Sequence, residues 1–189
     1  DEAMRDSMTW LLEGEGYVVA CFDSGESFLN ARSADMRGCL ILDVRMPEMS
    51  GLELHEKLDA LGSQLPIIFV TGHGDVPMAV SALQRGACDF IEKPFHNEDL
   101  LSRIVRALEV DRQQSARRQR DGAISDRLDQ LTQSEQEVMK LVVAGKLNKQ
   151  IADTLNISMK TVEAHRARVM EKMGVRTLAE LVKAVMTVR

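Results

Sequence analysis

The chain has 189 residues, 44% of them hydrophobic, which suits one large or two ordinary folded domains and excludes a disordered chain. It has no apolar run near the roughly 20 residues that cross a bilayer and no visible secretory signal, so the sequence predicts a cytoplasmic protein without membrane association. It also lacks an initiator Met, so the natural N-terminus is expected upstream. The three cysteines lie in apolar runs without CxxC spacing, which argues against disulfides or zinc and predicts buried thiols in a reducing compartment.

The net charge of −5 conceals an asymmetry between the two ends of the chain. Residues 1–110 carry 9 Lys/Arg and 19 Asp/Glu, for a net charge of −10, whereas residues 132–189 carry 10 and 6, for a net charge of +4. Basic surfaces attract nucleic acids and acidic surfaces repel them. Only the C-terminal part therefore has the charge expected of a nucleic-acid-binding domain.

The N-terminal part alternates short β-type runs with amphipathic helical stretches. Strands separated by helices imply right-handed βαβ crossovers, and hence a parallel sheet covered on both faces. The predicted strands are Tyr17–Phe22, Cys39–Val44, Ile67–Val70 and Cys88–Ile91. The predicted helices are Met4–Glu13, Ser24–Ala31, Gly51–Leu61 and Val76–Arg85, and a last helix begins near Glu98.

Residues 111–130 are expected to link two domains. The helical apolar spacing thins after Val110 into a polar stretch rich in Arg and Gln, and a break is expected near Gly122. A helical stripe resumes at Ile124, Leu128 and Leu131. A helical linker is favoured, but the composition leaves a coil or a paired coiled coil open.

The C-terminal part, residues 131–189, contains helical patterns only. Thr132 and Glu135 form a capping box ahead of the first helix, and Ser158 is a suitable N-cap for the third. Two short helices joined by the turn at 156–158 have the geometry of a helix-turn-helix. The four predicted helices are Ser134–Val143, Asn148–Leu155, Met159–Met173 and Thr177–Val188.

The third of these helices is predicted to read DNA. Val162, Val169 and Met173 share its inner side, whereas its outer side combines small and basic residues. Small residues allow close approach to the major groove, and long cations reach phosphates and base edges. A generic helical bundle with a solvated basic face is the alternative. The candidate DNA-binding residues are Asn148, Lys149, Ser158, Lys160, Thr161, Ala164, Arg166, Ala167 and Arg168.

Four runs in this part resemble the LuxR-type helix-turn-helix: residues 131–139 (LTQSEQEVM), 145–152 (GKLNKQIA), 157–165 (ISMKTVEAH) and 172–175 (KMGV). The resemblance covers nearly all of residues 131–186. It implies a four-helix domain whose third helix reads double-stranded DNA and whose last helix often mediates dimers.

In the N-terminal part, Asp43, Thr71 and Lys93 stand where three predicted strands end. Such ends meet at one edge of an open parallel sheet, where ligands bind. A carboxylate can accept a phosphoryl group if a cation offsets the charge and donors hold the oxygens. Asp43 is therefore the candidate acceptor, and Pro94 predicts a cis peptide that aims Lys93 inward.

Three runs around these residues resemble the receiver domain of bacterial response regulators: residues 42–51 (LDVRMPEMSG), 70–75 (VTGHGD) and 90–95 (FIEKPF). Together with the C-terminal part they resemble the NarL/FixJ class, closest to its FixJ-like branch. The resemblance gives His73 no required role. It implies that Asp43 is the phosphoacceptor and a Mg²⁺ ligand, that the Arg45 backbone carbonyl is a second ligand, that Thr71 and Phe90 form the switch, and that Lys93 stabilises the phosphoryl group.

In that family a central first strand ends in two acidic residues that hold the magnesium ion. Here Asp1 and Glu2 align with the start of the first helix, just beyond that pair. The expected fold is thus a flavodoxin-like parallel sheet without its first strand, with a hole that exposes apolar residues. We hypothesise that the chain is a fragment, or the ordered part, of a longer protein, and that without the missing acids its Mg²⁺ binding is in doubt.

The resulting hypothesis is a transcription regulator with a receiver domain at 1–110 and a DNA-binding domain at 131–189. A histidine kinase would phosphorylate Asp43, and a homodimer formed around the helix 76–85 would bring two DNA-binding domains onto paired half-sites. A phosphorylation-independent DNA-binding protein with a vestigial receiver is one alternative. A phosphatase with an Asp43 nucleophile is another, but such enzymes place a second Asp where this chain has Arg45, so we expect no enzyme.

Overall fold

The computed structural model describes residues 2–72, 76–84 and 86–187. Contacts divide the chain into two units, Asp1–Gln114 and Ser115–Arg189, and the division falls inside one long helix. His73 and Arg85, both named in the sequence predictions, lie outside the described residues. In the part of the chain that is described, no helix is long and apolar enough to cross a bilayer.

From residue 25 onward the N-terminal unit alternates helices and strands, as predicted. Its strands pair in parallel in the order β1-β2-β3, with Leu40 opposite Ile67 and Ile68 opposite Asp89. The strands are β1 (Leu40–Asp43), β2 (Ile67–Thr71) and β3 (Asp89–Glu92). The helices are α1 (Glu2–Gly14), α2 (Gly25–Ala31), α3 (Gly51–Ala60), α4 (Val76–Gln84) and α5 (Asn97–Asp129).

Helices cover both faces of this sheet, because successive side chains of a strand point to opposite faces. Ile67 and Phe69 of β2 pack in a cluster with α2 and α3, whereas Ile68 and Val70 pack in a second cluster with α1 and α5. Every residue of β2 is buried, as expected for a strand with a neighbour on each side. The predicted α/β architecture is confirmed.

One predicted strand, Tyr17–Phe22, is not a strand. Among the described residues no strand pairs with it, and Val18 is fully exposed. The stretch borders a cavity of about 520 Å³, whose other lining residues include Leu12 of α1, Leu42 of β1 and Ile104 of α5. An apolar run forms a strand only where a neighbouring strand satisfies its backbone N–H and C=O groups. Here the cavity beside β1 lies where that neighbouring strand would have to be.

The linker is helical, so the coil alternative is excluded and the predicted break near Gly122 is wrong. Helix α5 continues through Gly122 to Asp129. A glycine inside a helix costs only about 1 kcal/mol relative to alanine. Packing of Ile124 and Leu128 against the core of the C-terminal unit offsets that cost.

The C-terminal unit is all-helical, as predicted. After the end of α5 it contains α6 (Gln133–Val143), α7 (Asn148–Leu155), α8 (Met159–Met173) and α9 (Leu178–Thr187). These helices share one core, to which they contribute Val138, Met139, Val142, Ile151, Ala152, Val162, Val169, Met173, Leu181 and Val185, and Leu131, between α5 and α6, joins it.

All three cysteines are free, but only two are partly buried. Burial raises the pKa of the Cys39 thiol to about 11 and also raises that of Cys88. Cys21 is exposed, so the prediction of three buried thiols is wrong at this position. Cys21 belongs to the stretch 17–22, which the sheet does not include.

Candidate functional site

Asp43, Thr71 and Lys93 meet at one edge of the sheet, as their strand-end positions predict. Asp43 closes β1 and Thr71 closes β2, and the Lys93 backbone N–H donates to the Thr71 carbonyl at 2.8 Å. The Val44 N–H donates in the same way to the Val70 carbonyl at 3.0 Å. Backbone pairing therefore brings the three side chains to neighbouring positions.

The Asp43 carboxylate is held on both oxygens. Lys93 Nζ donates to its Oδ2 at 2.6 Å, and the Arg45 backbone N–H donates to its Oδ1 at 3.0 Å. The Lys93–Pro94 peptide is cis, as predicted. The side chains of Asp43 and Lys93 remain 31% and 27% exposed, so the carboxylate is both paired with a cation and reachable from solvent.

The two predicted switch residues differ in their surroundings. Thr71 is fully buried, and its hydroxyl donates to the Gly72 carbonyl at 2.7 Å. Phe90 is partly buried and packs against the cluster on the α2 and α3 face. The Thr71 hydroxyl therefore has a backbone partner in this state.

Gly51 is a site residue that the sequence reasoning did not single out. A Cβ at this position would lie 2.2 Å from the Asp43 carbonyl oxygen. The Gly51 N–H donates to the Val44 carbonyl at 3.0 Å, and Ser50 caps α3 in a capping box with Glu53. Helix α3 therefore begins directly against the backbone of Asp43, an approach that only glycine permits. Its only signal in the sequence was its place at the end of the 42–51 run.

The described residues do not make a magnesium site by themselves. Magnesium takes oxygen ligands, usually one or two carboxylates beside water. At this edge Asp43 is the carboxylate, and its Oδ2 already accepts from Lys93. No group of three His, Cys, Asp or Glu side chains in the described part of the chain could hold a metal ion.

Helix α8 presents the predicted faces. Its N-cap Ser158 accepts from the Thr161 N–H at 3.1 Å. The turn before it passes through Asn156, whose φ of 54° lies in the left-handed region. Val162, Val169 and Met173 are buried, whereas Lys160, Ala164, Ala167 and Arg168 are exposed.

Two further candidates for DNA contact bind each other. Arg166 Nη1 donates to Asn148 Oδ1 at 2.8 Å and so links α8 to the first residue of α7. Lys149, the next residue of α7, is exposed. The pair fixes the relative position of the two helices of the helix-turn-helix.

Both parts of the chain match known families. Residues 1–105 match the response regulator receiver domain, and residues 129–185 match the luxR family of bacterial regulatory proteins. The response regulator protein TodT of Pseudomonas putida is 46% identical over 183 residues, which cover 97% of this chain and 81% of TodT.

The transcriptional regulatory protein FixJ of Azorhizobium caulinodans is 42% identical over 183 residues, which cover 97% of this chain and 87% of FixJ. A low-resolution structure of the response regulator StyR is similar with a TM-score of 0.87 and 41% identity, covering 98% of this chain and 94% of StyR. The chain therefore belongs to the two-component response regulators of the NarL/FixJ class, in which phosphorylation of a receiver domain controls transcription through a LuxR-type DNA-binding domain.

Proposed function

We propose that Asp43 is the residue that accepts the phosphoryl group from a histidine kinase, and that its phosphorylation controls DNA reading by α8. The role of Asp43 as phosphoryl acceptor is supported by the 2.6 Å contact between Lys93 Nζ and Asp43 Oδ2, at an edge of the sheet that is open to solvent. A fixed cation beside an accessible carboxylate is the arrangement that phosphoryl transfer requires.

In this transfer a bond forms between an Asp43 carboxylate oxygen and phosphorus while the phosphorus–nitrogen bond of the kinase phosphohistidine breaks. The imidazole keeps the electron pair and takes a proton from solvent. The Lys93 ammonium offsets the negative charge that gathers on the phosphoryl oxygens. The Arg45 N–H keeps the carboxylate oriented.

The switch would act through Thr71 and Phe90. The Thr71 hydroxyl now donates to Gly72, so contact with a phosphoryl oxygen requires an exchange of that partner. Movement of Thr71 and of the partly buried Phe90 would change the surface around α4 and β3. Homodimerisation through this surface would bring two copies of α8 onto paired DNA half-sites.

Magnesium would supply further charge neutralisation for the same transfer, but Asp43 and the Arg45 carbonyl are too few donors. We propose that a further β-strand carrying acidic residues fills the cavity beside β1 and completes the donor set. The apolar lining of that cavity and the unpaired stretch 17–22 support this. In a version of the chain carrying such a strand, β-structure should increase and magnesium binding should appear, as measured by circular dichroism and titration calorimetry.

DNA contact is proposed for the exposed outer face of α8 and for the start of α7. Lys160 and Arg168 would contact phosphates, while Ala164 and Ala167 would allow close approach to base edges. The exposure of these four residues and the burial of the opposite face support the assignment. Asn148, Lys149, Ser158, Thr161 and Arg166 complete the proposed contact set.

The proposal is tested by the oligomeric state of the protein, with and without beryllofluoride and magnesium, measured by light scattering beside DNA affinity. In the chain that carries the completing strand, beryllofluoride should produce dimers and tighter DNA binding. Asp43→Asn should abolish both responses and leave the fold intact, whereas Asp59→Asn, an exposed acid on α3, should preserve them. A response that survives in Asp43→Asn contradicts the site assignment.

A second candidate function is phosphorylation-independent DNA binding with a receiver that serves only as a protein-binding surface. The ion pair between Lys93 and Asp43, which already occupies one carboxylate oxygen, is the observation that favours it. Under this alternative, beryllofluoride leaves the oligomeric state unchanged even when the completing strand is present, and Asp43→Asn binds DNA as the wild-type chain does.

A further inference from the structure

The last turn of α8 is held by contacts that lie outside the proposed DNA-reading face. Arg127 Nη1 donates to the Met173 carbonyl at 2.9 Å. Lys172 Nζ donates to the Gln130 carbonyl at 3.2 Å and to the Glu135 carboxylate at 2.6 Å. Arg127 lies in the last turn of α5, and Gln130 follows its end. The end of the linker therefore contacts the C-terminus of α8. We call Arg127, Lys172 and Glu135 the α8 clamp.

Arg127 fills a position that the helix end leaves open. The last carbonyls of a helix have no partner within it and carry partial negative charge. The N–H groups of Gly174 and Val175 bond back to the Met170 carbonyl, and Gly174 also reaches Glu171. The Met173 carbonyl accepts from the Arg127 guanidinium instead.

Gly174 also makes room for this guanidinium. A Cβ at Gly174 would lie 3.0 Å from Arg127 Nη1, and its φ of 64° is one that glycine favours. The residue therefore ends α8 and lets the linker side chain lie against that end. The same guanidinium nitrogen, Nη1, therefore both bonds the Met173 carbonyl and occupies the space that a Cβ at position 174 would need.

Glu135 ties the same end of α8 to the start of α6. Its side chain is 2% exposed, and its Oε2 accepts from Lys172 and from the Thr132 backbone N–H at 2.9 Å. The end of α5, the start of α6 and the end of α8 thus meet around one buried carboxylate. Buried charge networks are costly to break because each remaining partner is left unpaired.

We propose that Arg127 is a positioning residue for DNA recognition: the end of the linker sets the tilt of α8 through the α8 clamp. The inference rests on the proposed reading of DNA by α8. Ala164 lies nine residues before Met173, which is roughly 14 Å along the helix axis. A tilt of roughly 5° at the clamp moves that position by about 1 Å, enough to lose a base hydrogen bond. Long, flexible side chains that contact phosphates can keep those contacts when α8 tilts. The loss of α8 tilt control should therefore lower the discrimination between base sequences more than the total affinity for DNA.

The test uses the full chain and a DNA duplex selected from a random-sequence pool by the wild-type protein, with a scrambled duplex of equal length. Arg127→Ala should lower the affinity for the selected duplex about tenfold and that for the scrambled duplex less than about twofold. The dependence of affinity on salt should keep its slope, because Arg127 contacts no phosphate in this proposal. Arg127→Lys should recover most of the discrimination, since one ammonium donor can reach the Met173 carbonyl.

Arg120→Ala is the matched control, because it removes the same charge from an exposed position of the same helix. It should leave discrimination unchanged, and thermal melting should show all variants folded at the assay temperature. Four outcomes overturn the inference: unchanged discrimination in Arg127→Ala, an equal loss on both duplexes, a salt slope reduced by about 1, or no recovery in Arg127→Lys. If the wild-type chain selects no duplex, the proposed DNA reading by α8 fails. The four outcomes above arise only when the wild-type chain does select a duplex, so they contradict the role of Arg127 alone.

Discussion

The two units reach their sites by different routes. The helical unit has one core, and its proposed reading face follows from the spacing of residues along a single helix, α8. The α/β unit has two clusters on opposite faces of a sheet, and its site exists only where three strand ends meet. A local pattern is enough for the first site, whereas the second depends on pairing between distant segments. The stretch 17–22 shows what happens when such a partner is missing.

Gly51→Ala is the strongest single test of the strand-end site. The added Cβ would clash with the Asp43 carbonyl oxygen, so the α/β unit should lose about 2–3 kcal/mol of unfolding free energy. Urea unfolding followed by circular dichroism should show the loss in the transition of this unit alone. An unchanged transition would mean that α3 approaches the backbone of Asp43 less closely than the expected clash implies.

Lys160→Ala and Arg168→Ala test the proposed DNA-reading face of α8, which follows from the spacing of residues along one helix. Each should weaken DNA binding about threefold to tenfold and reduce the salt slope by about 1, if each side chain neutralises one phosphate. Fluorescence anisotropy at several salt concentrations measures both quantities. Lys140→Ala, at an exposed position on α6, is the control and should change neither. Unchanged affinity in both variants would remove Lys160 and Arg168 from the interface.

Acid sensitivity should distinguish the buried carboxylate of the helical unit from exposed ones. Hydrogen bonds from Lys172 and from the Thr132 backbone lower the pKa of Glu135 from its usual 4.5 to about 2. Because the folded-state pKa is the lower one, the stabilisation is present above pH 4.5 and is lost as the pH falls from 4.5 towards 2.

Urea unfolding of the helical unit across this range should show a steeper loss for the wild-type chain than for Glu135→Gln. Glu137→Gln, an exposed position on the same helix, should behave as the wild-type chain does. Equal pH dependence in wild-type and Glu135→Gln chains would mean that the Lys172 contact does not hold the carboxylate charged.

Gly122→Ala should have the smallest effect, and a stabilising one. A Cβ at this position meets nothing within 4 Å, and alanine favours a helix by about 1 kcal/mol. The melting temperature should rise slightly, while DNA affinity stays the same. A fall in stability would show that the linker needs the flexibility of glycine at this point.

Sequence reasoning succeeded where a residue period or a rule of sheet topology carries the information. The buried and exposed sides of α8 follow from a 3.6-residue period, and the meeting of Asp43 with Lys93 follows from strand ends in a parallel sheet. It failed at Tyr17–Phe22, where an apolar run lacks a strand beside it, and at Gly122, where packing outweighs a weak propensity. The α8 clamp could not be predicted from the sequence, because Arg127 and Met173 lie 46 positions apart and no periodic pattern relates them.

The open side of β1 has a practical consequence. A strand edge with unpaired N–H and C=O groups is a template for a strand from another molecule. In the described residues β1 pairs with β2 alone, and the apolar cavity beside it can take a donated segment. An open edge of this kind should therefore allow strand exchange between molecules at high protein concentration, giving a dimer that neither beryllofluoride nor Asp43→Asn changes. The response to beryllofluoride therefore separates this strand-exchanged dimer from the proposed receiver dimer.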